Sequence, residues 1–263
     1  MKLFLDSANL KEIEEAYHTG IINGVTTNPS LMKQALADKK KGKKIDLTDY
    51  IQEILTIAKG TPVSLEVKET EEKAMVEEAL SLFNQFNPIA NNVYIKIPVN
   101  SSLKGKTRPF DSLKAIKTLV QANVPINATL IFTPEQALMA AKAGARIVSL
   151  FAGRLDDYIR IQHGIGFEKS DYFPAEGIKK GDLHVQDNGL VSGVDLVSKC
   201  SHIFRMYNIK CEILAASTRN SRQLREFALA GAHIATVPLD VFKAAISHPK
   251  TIEGLTTFLE DVP

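Results

Sequence analysis

The chain has 263 residues, of which 44% are hydrophobic and 24% charged, and its formal net charge is +2. This composition excludes a disordered chain and favours one globular domain over residues 1–263, because α/β barrels of about 250 residues fold as a single unit. The sequence begins with a strand-like segment rather than a signal peptide, and no apolar stretch approaches membrane-spanning length. We therefore expect a cytoplasmic protein without a membrane partner.

Two further features bear on cofactors and partners. The only cysteines, Cys200 and Cys211, have no close spacing and no histidine-rich partner motif, which predicts neither a disulfide framework nor a metal site. The lysine-rich run at 39–44 is able to attract a polyanion, but it has no interleaved aromatic residues. We expect a solvated loop there and no nucleic-acid partner.

Short apolar, β-branched runs alternate with longer segments of helical spacing along the whole chain. The predicted strands are 3–6, 24–27, 62–67, 93–98, 126–131, 146–151, 211–216 and 234–238. The predicted helices include 71–86, 112–122, 134–143, 195–207 and 222–230, with a last amphipathic stretch at 252–259. This rhythm is typical of parallel strands joined by crossover helices.

Eight such units predict an α/β fold, namely a (β/α)₈ TIM barrel with a C-terminal extra helix. The alternative is a doubly wound open sheet. No glycine-rich phosphate-binding motif follows the first strand, so the usual signature of that alternative is missing.

In a barrel, residues of one parity on each strand face the helices and those of the other parity face the interior. On the fourth strand Ile95 and Ile97 take the outer parity, so Lys96 is expected to point inward. On the fifth strand Leu130 is expected to face the helices. The residues expected to point inward are polar on several strands: Asp6, Ser64, Glu66, Asn127, Thr129 and Ser149. Buried polar groups are costly unless they are paired, so this set indicates a functional centre.

Lys96 is the most informative of these residues. In a desolvated site the ammonium form is disfavoured, and the free amine is the nucleophile that Schiff-base chemistry on a carbonyl requires. The alternative is a lysine at a strand end that lies along apolar surface and reaches water.

Several motifs in register with successive strands resemble the transaldolase family over nearly the whole chain. They are Thr26-Thr27-Asn28-Pro29-Ser30-Leu31, Tyr94-Ile95-Lys96-Ile97-Pro98, Asn127-Ala128-Thr129-Leu130-Ile131-Phe132, Ser149-Leu150-Phe151-Ala152-Gly153-Arg154 and Ala216-Ser217-Thr218-Arg219-Asn220. The resemblance implies a class I, Schiff-base enzyme on a (β/α)₈ barrel that needs no metal and no organic cofactor.

The resemblance implies four catalytic residues. Lys96 would attack the C2 carbonyl of a ketose phosphate, and Asp6 would remove the C4 hydroxyl proton so that the C3–C4 bond breaks. Glu66 would move protons through a water that Thr129 helps to hold. The three-carbon dihydroxyacetone unit left on Lys96 would then pass to an aldose phosphate.

The resemblance also implies substrate-binding residues. Asn28, Asn127 and Ser149 would face the dihydroxyacetone unit. Arg154, Ser217 and Arg219 would bind the phosphate, since guanidinium groups make bidentate, charge-assisted contacts.

Each assignment has a structural alternative. Asp6 is also suited to capping the next turn, and Asn28 before a proline is suited to starting a loop. Glu66 and Lys96 would be tolerable as a buried ion pair alone, and the two arginines as surface charges. A buried ion pair leaves the polar residues of the fifth and sixth strands unexplained.

Two other functions stay open. In the fructose-6-phosphate aldolase branch of the same family, glutamine is typical where this chain has Glu66, and tyrosine where it has Phe151, so both positions resemble transaldolase. A non-catalytic sugar-phosphate-binding barrel is the other alternative. The stretch at about 156–193 is expected to be an extended loop on the catalytic face that orders over substrate, and a homo-oligomer is expected.

Overall fold

The computed structural model describes residues 1–39 and 46–262. Beyond Lys39, the lysine-rich run lies outside the described residues. The barrel strands begin with β1 (Lys2–Asp6), β2 (Val25–Thr26), β3 (Val63–Glu66), β4 (Val93–Pro98), β5 (Ile126–Ile131) and β6 (Ile147–Leu150). Strands β7 (Lys179–Lys180) and β8 (Leu183–His184) form a separate antiparallel hairpin. Strands β9 (Glu212–Ala215) and β10 (Ile234–Val237) complete the barrel.

The eight barrel strands are all parallel and close in the order β1-β2-β3-β4-β5-β6-β9-β10, within the part of the chain that is described. Around them lie α1 (Leu10–His18), α2 (Pro29–Lys39), α3 (Leu47–Ile57), α4 (Glu72–Ala90), α5 (Asp111–Gln121), α6 (Pro134–Ala143), α7 (Ala152–Gln162), α8 (Gly193–Met206), α9 (Ser221–Leu229), α10 (Leu239–Ile246) and α11 (Pro249–Glu260). The predicted TIM barrel is confirmed, and α11 is its extra C-terminal helix.

The core lies between the strands and the helices, as the alternation along each strand predicts. Leu5, Val63, Ile95 and Ile97 are fully buried there. A second apolar cluster lies inside the barrel, and it contains Phe4, Ile147, Leu214 and Ile234.

Part of the interior cluster, including Phe4 and Ile147, lies beneath the polar interior residues. Phe4 and Ile147 each precede an inward-facing polar residue by two positions, Asp6 and Ser149 respectively, so each pair lies on the same face of its strand. The polar groups therefore lie toward the carboxyl ends of the strands, where the active sites of TIM barrels form.

Leu130 departs from the predicted parity. The pairing of β5 with β6 shifts register between Ala128 and Ile131, and Leu130 has a positive φ of 55°. Its side chain packs on the cluster inside the barrel rather than on the helices. The expectation that it faces outward is wrong, because a bulge reverses the alternation for the rest of the strand.

The stretch at 156–193 also differs from the expected extended loop. Its first residues belong to α7, where Leu155 and Ile159 are one helical turn apart and buried. The irregular connection therefore begins at His163 and ends before α8, with only the exposed hairpin of β7 and β8 inside it.

Gly153, in the first turn of α7, allows the loop after β9 to come close. A Cβ atom at this position would lie 2.0 Å from the carbonyl oxygen of Ser217 and 3.0 Å from Nε of Arg219. No side chain fits at the first of these distances, so glycine is required for this packing.

We expect Gly153→Ala to lower the free energy of unfolding by about 1–3 kcal/mol, the usual cost of overpacking, and thus to lower Tm by several degrees. Gly166→Ala is the matched control, because a Cβ there meets no atom within 4 Å. Thermal unfolding of both variants measures the difference. A Gly153→Ala protein as stable as the Gly166→Ala control would contradict this packing.

Candidate active site

Lys96 lies inside the barrel, near the carboxyl end of β4. Its side chain is only 6% exposed, and its Nζ atom is 3.1 Å from Oε2 of Glu66. The ammonium also donates to the carbonyl oxygen of Thr27 at 3.3 Å. The parallel register pairs Glu66 with Lys96 and Lys96 with Asn127, which sets the three inward side chains in one row. Lys96 is therefore a buried, paired amine and does not reach water along an apolar surface.

Asn127 organises the polar groups beside the lysine. Its amide nitrogen donates to Oγ of Ser64 at 3.1 Å, and its amide oxygen accepts from the hydroxyl of Ser149 at 2.7 Å. All three residues are buried. Thr129, on the same strand, is fully buried, and its hydroxyl has no partner among the described residues. A buried hydroxyl without a partner lowers the stability of the fold by about 1–3 kcal/mol, and an ordered water that bonds to it would remove this cost.

Asp6 ends β1 next to a chain of two threonine hydroxyls. Thr26 donates to Oδ1 of Asp6 at 2.8 Å, so its oxygen accepts from Thr236 at 2.6 Å. Burial raises the pKa of the Asp6 carboxyl, and the charge of Lys96 opposes this rise. The capping alternative does not hold, because the side chain of Asn9 caps α1.

Thr26 and Thr236 were missed by sequence reasoning. Each has the inner parity of its strand, next to the outward-facing Val25 and Val237. The same parity rule that selected Asp6 would have found Thr236. It is harder to apply to Thr26, because β2 has only two residues.

Two cavities open at the carboxyl ends of the strands. The larger has a volume of about 760 Å³ and the smaller about 40 Å³. They share four lining residues, Asp6, Asn28, Arg154 and Ser217. Lys96, Ser149 and Phe151 line the small pocket, whereas Arg219 lines the large cavity. The lysine therefore lies in a narrow pocket and the cationic residues lie around a wider cavity next to it.

Three of the predicted site residues line neither cavity: Glu66, Asn127 and Thr129. Asn28 has a structural role as well, since its side-chain oxygen accepts from the backbone nitrogen of Leu31 at 3.0 Å in the first turn of α2. Its amide nitrogen is left to face the cavity.

Phe151 lies between the two cationic groups of the site. The centre of its ring is 5.8 Å from Nζ of Lys96 and 4.9 Å from the guanidinium carbon of Arg154. Arg154 is exposed, but it lines both cavities, so it is more than an isolated surface charge.

Arg219 is largely buried, with 12% of its side chain exposed. Its guanidinium forms an ion pair with Asp157, while its Nε has no acceptor among the described residues. Its backbone nitrogen donates to the side chain of Gln223 at 2.8 Å. Two residues earlier, Ser217 has a positive φ of 62°, a conformation that is costly for serine and is often found at ligand-binding sites.

The acidic residues Asp156 and Asp157 support this loop and were also missed. Asp156 accepts from Gln223 at 2.8 Å and from the backbone nitrogen of Gly193 at 2.6 Å. Burial raises its pKa to about 7. Two adjacent carboxylates so close to Arg154 were a visible signal, but nothing in the sequence pairs them with residues of the loop after β9.

The described residues form neither a cluster of metal ligands nor a membrane-spanning helix. In residues 1–39 and 46–262, no group of three or more His, Cys, Asp or Glu side chains is placed to hold a metal ion. Cys200 and Cys211 are free and buried, and burial raises the pKa of each thiol to about 12. No helix of the described ranges is both long and apolar enough to cross a membrane.

Comparison with known proteins agrees with the sequence motifs. The model of the family described as "Transaldolase/Fructose-6-phosphate aldolase" matches residues 3–262. A "Probable transaldolase" from Thermoplasma volcanium is 41% identical over 99% of this chain and 95% of that protein. Another from Bartonella henselae is 39% identical over 99% of this chain and 96% of that protein.

A solved structure shares the fold alone. The thiamine phosphate pyrophosphorylase from Pyrococcus furiosus superposes with a TM-score of 0.50 at 15% identity, over 97% of this chain and 96% of that chain. The family match extends over nearly all residues, and the resemblance in the sequence motifs is confirmed. The chain belongs to the transaldolase/fructose-6-phosphate aldolase family.

Proposed function

We propose that this protein is a transaldolase, which transfers a dihydroxyacetone unit from a ketose phosphate to an aldose phosphate through a Schiff base on Lys96. The observation that carries the proposal is the buried Lys96–Glu66 pair in a narrow pocket, with Asp6 on its wall and arginines around the adjoining cavity. An amine, two separate carboxylates and a cationic rim are the groups that this reaction needs.

The first step is attack of the Lys96 amine on the C2 carbonyl. The ammonium must lose a proton before it can attack, and the Glu66 carboxylate, 3.1 Å away, is placed to accept it. Attack gives a carbinolamine, and loss of its hydroxyl as water gives the protonated imine. The unpaired hydroxyl of Thr129 would hold the water that carries protons in this step.

The second step is cleavage of the C3–C4 bond. Asp6 removes the C4 hydroxyl proton, the bond electrons pass into the imine, and an aldose phosphate leaves. The enamine left on Lys96 then attacks the aldehyde of a second aldose phosphate, and hydrolysis releases the new ketose. Burial makes Asp6 a stronger base, while the hydroxyl of Thr26 fixes its orientation.

The remaining residues hold the substrate. Asn28, Asn127 and Ser149 would bind the hydroxyls of the dihydroxyacetone unit. Arg154, Ser217 and Arg219 would bind the phosphate, and all three residues line the large cavity.

The substrates in this proposal are sugar phosphates of the non-oxidative pentose phosphate pathway. Sedoheptulose 7-phosphate or fructose 6-phosphate would be the donor, and erythrose 4-phosphate or glyceraldehyde 3-phosphate the acceptor. No cofactor is required, because the protonated imine is the electron sink. The proposal also includes a cytoplasmic location.

A coupled assay with fructose 6-phosphate, with and without erythrose 4-phosphate, tests the activity. We expect turnover that depends on the acceptor and is abolished in Lys96→Met. Turnover without an acceptor would support the aldolase alternative, and substrate binding without turnover would support the non-catalytic barrel.

Phe151 is the residue that separates the transferase from the aldolase. Its apolar ring beside Lys96 offers no proton to the enamine. We expect Phe151→Tyr to raise the ratio of aldol cleavage to transfer several-fold, because a phenol can position a water or proton that discharges the enamine. Phe132→Tyr is the control, since that ring lies 5.8 Å from Phe151 but does not line the pocket. An unchanged ratio would count against this role.

The pH dependence of transfer tests the role of Asp6. A general base must be ionised, and burial raises the pKa of Asp6 above the usual value of about 4. We expect kcat/KM to fall as the pH drops through this raised pKa, and Asp6→Asn to lose cleavage by at least about 100-fold. A rate that stays constant down to pH 4 would eliminate Asp6 as the base.

The proposal includes self-association, which the exposed apolar face of α11 supports. No residue of this helix is buried, and Ile252, Leu255, Phe258 and Leu259 are 57–70% exposed on one face. Such a patch is typical of an interface. We expect Leu255→Asp to lower the sedimenting mass, whereas Thr257→Asp, on the opposite face, leaves it unchanged. A wild-type monomer, or equal masses for the two variants, would rule out this interface.

A further inference from the structure

We propose that Lys169 is a specificity-determining residue, which binds the phosphate of the substrate as a third cationic group. Residues 168–170, here called the rim segment, line the same 760 Å³ cavity as Arg154 and Arg219. None of the motifs that resemble the family includes these residues. The inference rests on the proposed function, and it adds a residue from the connection between α7 and α8.

The chain on both sides of the rim segment is held in place by Arg160. The guanidinium of this buried arginine lies 4.9 Å from the ring centres of both Phe167 and Phe173. It also donates to the carbonyl oxygens of Asp171, at 3.4 Å, and Tyr172, at 2.8 Å. These contacts hold the backbone before and after the rim segment.

The rim segment is also tied to the loop that carries Arg219. The side-chain nitrogen of Asn220 donates to the carbonyl oxygen of Ser170 at 3.2 Å, and its oxygen caps α9 by accepting from Gln223 at 2.9 Å. Within the connection, Asp171 accepts from the backbone nitrogen of Glu168 at 2.8 Å. The rim segment is thus fixed next to the phosphate-binding loop.

The charge balance of the cavity indicates what Lys169 does. Among the described residues, the cavity is lined by three cations, Arg154, Lys169 and Arg219, and by the carboxyl groups of Asp6, Glu12, Glu168 and Asp240. Asp157 offsets the charge of Arg219, so Arg154 and Lys169 are the lining cations left to face a phosphate, which carries nearly two negative charges near pH 7. Lys169 is exposed and forms no ion pair within the described residues, so its ammonium is available to the phosphate. Glu168, which also lines the cavity, has the acceptor oxygens that sugar hydroxyls need.

Binding of inorganic phosphate and of fructose 6-phosphate to the full chain, measured by calorimetry, tests the inference without requiring turnover. We expect Lys169→Ala to weaken both by about fivefold and to reduce the salt dependence, whereas Lys169→Arg restores binding. Lys179→Ala is the matched control, because this lysine is exposed on the same connection but does not line the cavity.

Steady-state kinetics distinguish a phosphate-binding role of Lys169 from a structural role. In Lys169→Ala the KM for fructose 6-phosphate should rise about fivefold with kcat unchanged, while transfer from unphosphorylated fructose to the acceptor stays the same. Equal phosphate affinity in Lys169→Ala and Lys179→Ala would overturn the inference. If Lys169→Ala weakens phosphate binding but the wild-type protein catalyses no transfer, the inference stands and the proposed function fails.

Discussion

The buried ion pair between Lys96 and Glu66 is the interaction on which the rest of the site depends. Moving two charges out of water costs several kcal/mol per ion, and mutual attraction offsets this only when the geometry is good and further hydrogen bonds are made. Here the parallel register of β3 and β4 sets the carboxylate 3.1 Å from the amine, and a backbone carbonyl of the next residue after β2 accepts a second bond. The Lys96–Glu66 pair is therefore stable only if β2, β3 and β4 keep their alignment. The chemistry of Lys96 thus depends on the architecture of the barrel.

Two layers inside the barrel give this pair its environment. Apolar side chains such as Phe4 and Ile147 fill the barrel below the site, and polar groups above them line a pocket of only about 40 Å³ around the amine. Strain is concentrated at the same end of the barrel, where Leu130 and Ser217 both have positive φ and Gly153 allows the first turn of α7 to touch the loop after β9. The same packing brings Arg219 to the cavity, and the ion pair with Asp157 fixes its guanidinium there. The guanidinium of Arg219 is therefore held by packing and by an ion pair, as the amine of Lys96 is.

The sequence predicted the strands and the inward polar residues well, because an alternation with a period of two is a local property of each strand. The prediction failed at residues whose orientation or partner is set by contacts with distant parts of the chain. The reversal at Leu130 comes from the pairing of β5 with β6, and the partner of Arg219 is 62 residues away along the chain. Thr26 lies on a strand too short for alternation to be counted. The family resemblance indicated Asp6, Lys96 and Arg154, and the stretch at 156–193 was expected on the catalytic face. The sequence did not indicate which residues of that stretch line the cavity.

Reduction with borohydride in the presence of fructose 6-phosphate, followed by peptide mass mapping, tests the central claim most directly. The reagent reduces the imine to a stable secondary amine, so the position of the added mass identifies the nucleophile. We predict a three-carbon dihydroxyacetone adduct on the peptide that contains Lys96 and none on that peptide in a Lys96→Met variant. No adduct, or an adduct on a different lysine, would contradict the account.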